Sequence, residues 1–157
     1  MFYDLEEDKF PVILIKFNKN KITDKNFNDF TNYWEKLYEK NQYFILIFDT
    51  TNMRVPHIKY AFRMTTFIKK LRKKDPQRLQ KSIIILKNKI IANMVDLVFY
   101  IQPPVAPVLI TYNTLDEIKT DIKYDDINIE YNTSSFKLEK TKIIKKFKPK
   151  KPYLAFL

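Results

Sequence analysis

The sequence predicts an α/β domain in which a small, mostly parallel β-sheet is covered by helices. Short apolar runs alternate along the chain with longer amphipathic segments, as they do in β-α-β units that build a parallel sheet. The apolar runs are rich in β-branched residues and nearly free of polar ones, which is typical of strands covered on both faces. We therefore predict four parallel strands, at residues 12–17, 43–48, 82–86 and 108–111.

The first part of the chain should form an edge strand and a helix. Residues 2–5 are predicted to run antiparallel to the strand at 12–17, because only a short turn through Pro11 separates the two segments. The first helix is predicted to begin with Thr23 or Asp24 as its N-cap and to end near Asn41. Its apolar face has the spacing of an amphipathic helix and consists of Phe27, Phe30, Trp34, Leu37 and Tyr38.

Three further helices complete the pattern. The second is predicted to open at Pro56, a residue suited to the first helical position, and to end in the basic run 69–74. The third spans roughly residues 89–101 and is ended by Pro103, and a short fourth helix runs from about 115 to 122. The predicted order of elements is β-β-α-β-α-β-α-β-α.

The chain contains no glycine, and asparagine is predicted to turn its corners. Asparagine tolerates the left-handed backbone conformation and also caps helices well. Asparagines follow every predicted strand of the parallel set, at Asn18, Asn20, Asn52, Asn88 and Asn113. The lack of glycine also excludes the standard P-loop, the Rossmann fingerprint and the serine nucleophile elbow, which need glycine for tight backbone turns.

Composition indicates an intracellular chain from an AT-rich genome. The 157 residues include no cysteine, which excludes disulfides, thiolate metal sites and a cysteine nucleophile. The N-terminus is acidic and no apolar run approaches the roughly 20 residues of a membrane span, so neither a secretory signal nor a transmembrane segment is expected. The wealth of Lys, Asn, Ile, Phe and Tyr suggests a large DNA virus or an AT-rich microbe, and we expect a cytoplasmic protein or one carried within a virion.

The pattern of strands and helices fails from about residue 124. We therefore divide the chain into a domain at residues 1–123 and an extended tail at residues 124–157. The tail is first acidic, at Asp125, Asp126 and Glu130, and then rich in lysine interleaved with apolar residues. Two alternatives stay open for it: a flexible arm or strand docked on its own domain, or an arm that binds a partner.

The order of elements resembles the STAS domain of sulfate transporters and anti-sigma factor antagonists, and also the STAS/Sec14-like proteins. The resemblance covers roughly residues 1–123 and rests on element order and on residues 45–53, an apolar strand followed by an aspartate and hydroxyl residues. Antagonists of that family carry a phosphorylatable serine after this strand. Residues 54–58 hold no serine, threonine, aspartate or glycine, so the resemblance does not extend to the phosphoserine switch.

The candidate ligand residues lie at the predicted carboxyl ends of the strands, where open α/β sheets bind ligands. They are Asn18, Asp49, Thr50, Thr51, Asn88 and Asn113, which could hold a small polar ligand or serve as structural caps. His57 is the only histidine and stands at a helix start, where a surface or capping role is expected in preference to that of a base or metal ligand. We predict no catalytic residue, no metal site and no cofactor.

The net charge of +11 fits either a polyanionic partner or the lysine bias of an AT-rich genome. The basic helix end is expected at the end of the sheet opposite Asp49, because a crossover helix finishes where the next strand begins. Together with the tail it supplies the polyanion-binding candidates Lys69, Lys70, Arg72, Lys73, Lys74, Arg78, Lys142, Lys145, Lys146, Lys148, Lys150 and Lys151.

These observations favour a non-enzymatic protein-interaction module of STAS-like type, with self-association as a homodimer among the possible partnerships. The alternative is a nucleic-acid-binding or packaging protein that acts through the basic helix end and the tail, a surface that also suits anionic lipid. A third hypothesis is lipid binding of Sec14-like type, in a pocket lined by the apolar third helix.

Overall fold

The computed structural model describes residues 1–124 and 136–150 of the chain. Six strands form one sheet in the order β1-β2-β3-β4-β5-β8, and β6 pairs separately with β7. The strands are β1 (Tyr3–Glu6), β2 (Val12–Phe17), β3 (Phe44–Asp49), β4 (Leu79–Ile85), β5 (Val108–Thr111), β6 (Ile122–Tyr124), β7 (Phe136–Leu138) and β8 (Ile143–Phe147).

The four inner strands are parallel, and both edge strands run antiparallel to their neighbours. β1 pairs with β2 in the register Tyr3 to Phe17, as the short turn between them predicts. The predicted fold class, α/β with a mostly parallel sheet and an antiparallel edge strand, is therefore confirmed. β4 starts three residues earlier than predicted, at Leu79, because Leu79 already pairs with Phe44 before a register shift in the ladder.

Four helices connect or follow these strands: α1 (Asp24–Leu37), α2 (Ile58–Leu71), α3 (Lys89–Ile101) and α4 (Leu115–Asp121). Thr23 caps α1 as predicted, since its Oγ1 accepts from the Asn26 N–H at 3.2 Å while Asn26 Oδ1 accepts from the Thr23 N–H at 2.7 Å. The predicted start of α2 at Pro56 is wrong by two residues. His57 is the N-cap instead, and its Nδ1 accepts from the Lys59 N–H at 3.1 Å.

The helices form unequal layers on the two faces of the sheet. α1, α2 and α3 cover one face, where Phe30, Leu71 and Ile91 belong to the same buried cluster as Leu46 and Ile84. α4 covers part of the opposite face, where Leu115 and Ile118 pack with a second buried cluster. The parallel strands follow one another in chain order, and every crossover lies on the same side of the sheet. Doubly wound sheets bind ligands at the point where the strand order reverses, and the described sheet has no such point.

Part of the predicted tail belongs to the sheet. β8 pairs antiparallel with β5 in the register Val108 to Phe147, and the Phe147 ring lies 4.8 Å from that of Phe99 on α3. Of the alternatives for this segment, residues 143–147 adopt the docked strand. The acidic residues at 125, 126 and 130 and the apolar end at 152–157 lie outside the described residues, and the division at residue 123 stays a prediction.

The asparagines after the strands lie at the corners, but they do not adopt the left-handed backbone conformation that was predicted for them. Asn88 caps α3, with its Oδ1 accepting from the N–H groups of Ile90 at 2.7 Å and Ile91 at 3.2 Å. Across residues 1–124 and 136–150, the positive φ angle belongs to Asn41 alone, at 52°, where the turn after α1 ends. The corners instead use hydrogen bonds from asparagine side chains, which need no left-handed residue. No helix within the same residues is long and apolar enough to cross a bilayer.

Candidate ligand-binding cavity

An apolar cavity of about 180 Å³ lies between the helix-covered face of the sheet and helices α1, α2 and α3. All three helices and all four parallel strands contribute to its wall. Helix side chains of intermediate size face it from α2 and α3, among them Met64, Met94 and Val98. The volume slightly exceeds that of the engineered apolar cavity of about 150 Å³ that binds benzene.

The wall contains few polar side chains. Thr50, at the end of β3, is 5% exposed and its Oγ1 donates to the carbonyl of Ile85 at 2.6 Å. Ser82, on β4, is 3% exposed, and its hydroxyl forms no hydrogen bond with any described residue. Ser82 is therefore a hydroxyl in the cavity wall that can reach a molecule held in the cavity.

An aromatic cluster closes one side of the cavity. Trp34 is the only tryptophan of the chain, and its ring lies 5.4 Å from that of Phe48 and 5.3 Å from that of Phe67. The indole Nε1 makes no hydrogen bond of regular geometry in the described part of the chain. Burial raises the pKa of the nearby Tyr38, and the Trp34 indole opposes this effect in part. Trp34 is thus a natural reporter of what enters the cavity.

The cavity adjoins a second, cationic pocket of about 360 Å³, which we call the vestibule. The two share Ile22, Pro56 and Tyr60, so they lie side by side between the first turns of α1 and α2. The remaining wall of the vestibule is basic or neutral and consists of Lys21, Arg54, Val55, His57 and Lys59. Among the residues that the structure describes, no carboxylate lines this pocket.

Asp24 ties the two helix starts together beside the vestibule. Its Oδ1 accepts hydrogen bonds from the Tyr60 hydroxyl at 3.0 Å and from Arg63 Nη1 at 2.9 Å, and it lies 3.4 Å from Lys59 Nζ. The hydrogen bond from Tyr60, reinforced by the charges of Lys59 and Arg63, lowers the pKa of Asp24. Its charge is therefore compensated by protein groups.

The predicted ligand residues near the chain start and β3 use their polar atoms locally. Asn18 Nδ2 donates to the carbonyl of Met1 at 3.1 Å and thereby holds the N-terminal strand. Asp49 Oδ1 accepts from the backbone N–H of Thr51 at 3.0 Å, in a turn closed within three residues. Of the predicted set, Thr50 is the residue that lines the cavity.

The two remaining candidates serve the corners of β4 and β5. Asn88 is committed to capping α3 through its side-chain oxygen. Asn113 Oδ1 accepts from the Lys142 N–H at 3.1 Å, and its Nδ2 donates to Glu117 Oε2 at 2.5 Å, so it links β5, α4 and the segment before β8. Within the described residues, His, Asp and Glu side chains form no group of three that could hold a metal ion.

The basic candidates fall at the amino end of the parallel strands and along β8. The run 69–74 ends α2 and leads to β4, while Lys148 and Lys150 follow β8 beyond the position that pairs with Val108. Several are engaged: Lys70 Nζ lies 2.7 Å from Glu35 Oε1, and Lys145 Nζ lies 2.7 Å from Asp96 Oδ1. Lys151 lies outside the described residues.

Two other basic side chains rest on aromatic rings. Arg78 lies 5.1 Å from the Tyr43 ring and Lys74 lies 5.8 Å from the Tyr38 ring. On the opposite face of the sheet, burial, together with the charge of Lys146, lowers the pKa of Lys81. The positions of the remaining candidates do not point to a particular ligand. These candidates are Lys69, Arg72 and Lys73 on the helix end and Lys142 before β8.

Sequence analysis identified α3 as a possible pocket wall but not the vestibule. Arg54 and Lys21 stand in loops that no periodic pattern singles out, and only the meeting of two helix starts brings them together. A weak sequence indication did exist for the cavity, since small side chains occur at Ala61 and Ser82 inside otherwise bulky apolar segments.

No family model, curated protein or solved structure matches this chain. The STAS-like resemblance therefore stays a prediction.

Proposed function

We propose that this protein binds an apolar or amphipathic small molecule in the cavity between the sheet and helices α1 to α3. The observation that carries the proposal is the cavity itself, a space of about 180 Å³ with an almost wholly apolar wall in the interior of a small domain. Binding sites for small molecules are usually concave, largely apolar and preformed, with a few placed polar groups.

The energetic cost of such a space supports occupation. Side chains around an unfilled apolar space lose the dispersion contacts that they would make with atoms filling it. The whole stability of a natural domain is only about 5 to 15 kcal/mol. A ligand that fills the space recovers the lost contacts and stabilises the folded state by mass action.

Ser82 gives the cavity a polar feature that a ligand can use. The Ser82 hydroxyl lines the cavity wall and can form a hydrogen bond with a ligand oxygen or with a water molecule held in the cavity. The hydroxyl of Thr50 has its own acceptor, so Ser82 is the better contact for a polar group carried along an apolar chain.

Quenching of Trp34 fluorescence by a brominated alcohol tests the proposal. Hexan-1-ol brominated at its terminal carbon, whose chain matches the cavity volume, should quench the single tryptophan saturably, and unlabelled hexan-1-ol should reverse the quenching. Ala61→Leu narrows the cavity from α2 and should weaken binding by at least about tenfold, while the matched variant Thr66→Leu, on the exposed side of the same helix, should not. Equal, non-saturable quenching in all three proteins would contradict the proposal.

Polyanion binding is a second candidate, favoured by one observation. Lys148 and Lys150 lie at the same end of the sheet as the run 69–74, two strand spacings or about 10 Å from the start of β4. Binding to a DNA or RNA duplex should weaken steeply with salt, and the slope should fall in Lys69→Ala, Lys73→Ala double variants. Salt-independent binding, or none, would rule this out.

The protein-interaction role stays a prediction tested by the oligomeric state and by partner capture.

A further inference from the structure

We infer that the ligand is an anionic amphiphile, a single apolar chain ending in a carboxylate or a phosphate monoester, and that Lys21 and Arg54 bind its head group in the vestibule. This inference rests on the proposed function of the cavity and adds the chemistry of the head group to it. It concerns the vestibule, which sequence analysis did not identify.

The connection between the two spaces carries the first step. Ile22, Pro56 and Tyr60 line both the apolar cavity and the vestibule, so a chain lying in the cavity has its end beside the vestibule. The vestibule has a volume of about 360 Å³ and accommodates a hydrated head group. An apolar cavity that adjoins a cationic pocket matches a molecule with an apolar chain and an anionic head group.

The charges of the vestibule carry the second step. Lys59 is already paired with Asp24. The side chains of Lys21 and Arg54 form no ion pair or hydrogen bond with any residue in the described ranges. The vestibule therefore presents two positive charges whose counter-charge must come from solvent or from a ligand.

Asp24 does not cancel these charges. Its carboxylate is held by Tyr60, Arg63 and Lys59, a set of contacts that satisfies it from the α2 side. Arginine forms paired hydrogen bonds with carboxylate and phosphate oxygens, and lysine adds a compact charge. Lys21 and Arg54 are exposed and hydrated in the free protein, and an anionic head group adds charge-assisted hydrogen bonds to them that an uncharged polar head group does not.

Three ligands of equal chain length test the inference: hexanoic acid, hexyl phosphate and hexan-1-ol. Each is titrated into the full chain at pH 7.4 below its aggregation concentration, with displacement of the brominated alcohol from Trp34 as the readout. Hydrogen bonds to charged groups imply that at least one of the two anions binds about tenfold or more tightly than the alcohol. Whichever anion binds more tightly identifies the head group.

Paired variants locate the head group. Lys21→Ala with Arg54→Ala should abolish the preference for anions, so that the two anions and hexan-1-ol bind with similar affinity. The control, Lys36→Ala with Arg72→Ala, removes the same charge from exposed positions outside both pockets and should keep the preference. Equal affinity for all three ligands, or a preference that survives the vestibule variant, would overturn the inference and leave the proposed function standing. Binding of none of the three would overturn both.

Discussion

The hydroxyl of Tyr60 donates a hydrogen bond to Asp24 Oδ1 at 3.0 Å, and this contact joins the first turn of α2 to the first turn of α1. Tyr60 also lines both the cavity and the vestibule. One side chain therefore holds the two helix starts at a fixed spacing and forms part of the surface a ligand would pass.

Asp24→Asn should lower the free energy of unfolding at neutral pH and make it less dependent on pH in the acid range. The pKa of Asp24 is lowered in the folded protein, so its ionised form stabilises the fold above the unfolded value of about 3.9, and this contribution disappears as the pH falls below it. Urea unfolding at pH 7 and pH 3 should show a smaller pH effect in the variant than in the natural chain. Asp29→Asn, on the same helix, is the control, and an equal change in both variants would contradict the assignment.

The addition of one methyl group should have opposite effects on the two faces of the sheet. Val108 lines the cavity and Val12 lies in the packed cluster on the opposite face, and both are almost fully buried at the start of a strand. Val108→Ile should stabilise by up to about 1 kcal/mol, since the methyl enters existing space. Val12→Ile should cost about 1 to 3 kcal/mol through overpacking. Urea midpoints that move together in the two variants would show that the cavity side is as tightly packed as the other.

Removal of the hydroxyl group of Thr50 and removal of that of Ser82 should have different effects on stability. Thr50→Val loses a hydrogen bond to the carbonyl of Ile85 and should destabilise by about 1 kcal/mol. Ser82→Ala removes a hydroxyl without a partner among the described residues and should leave the free energy of unfolding unchanged or raised. Thermal unfolding without added ligand measures both. A loss in Ser82→Ala as large as that in Thr50→Val would show that the Ser82 hydroxyl stabilises the fold through a partner of its own.

The Asp121 carboxylate should stabilise the segment before β8 in a pH-dependent way. Burial acts to raise its pKa, but hydrogen bonds from the Thr141 hydroxyl at 2.6 Å and from the N–H groups of Glu139, Lys140 and Thr141 outweigh burial and lower the pKa to about 2. The stabilisation is present above about pH 4 and is lost between about pH 4 and 2.

Asp121→Asn should therefore lower the melting temperature at pH 7 by several degrees and increase amide exchange in residues 143–147. Asp116→Asn, on the same helix, should do neither. Unchanged exchange in β8 on loss of the Asp121 charge would show that this carboxylate does not hold the strand.

Periodicity in the sequence was sufficient for the inner sheet and its helices. The apolar runs that became β2 to β5 are long and β-branched, and Thr23 and Asn88 cap the helices that begin at Asp24 and Lys89. For β8 the sequence left a docked strand as one of several alternatives, because its residues Ile143 to Phe147 include two lysines. The residues of β8 are exposed except the half-buried Phe147, so the strand is held by its pairing with β5, by the contact of Phe147 with Phe99 and by the ion pair of Lys145 with Asp96 on α3.

The candidate site was less predictable for a physical reason. The cavity volume depends on how three helices fit against the sheet, which no single segment encodes. The predicted polar edge was deduced from strand ends alone, whereas the structure commits Asn18, Asn88 and Asn113 to hydrogen bonds of the fold. The vestibule depends on the approach of residues 21 and 54, which are 33 positions apart in the chain.

A crystal structure of the full chain soaked with hexanoic acid brominated at its terminal carbon is the sharpest test of ligand binding in the cavity. Anomalous scattering should place the bromine atom among Met64, Met94 and Val98, with the carboxylate within hydrogen-bond distance of Lys21 or Arg54. A bromine bound elsewhere on the molecule, or side chains that fill the space between the sheet and α1 to α3, would contradict the assignment of this cavity as a ligand site.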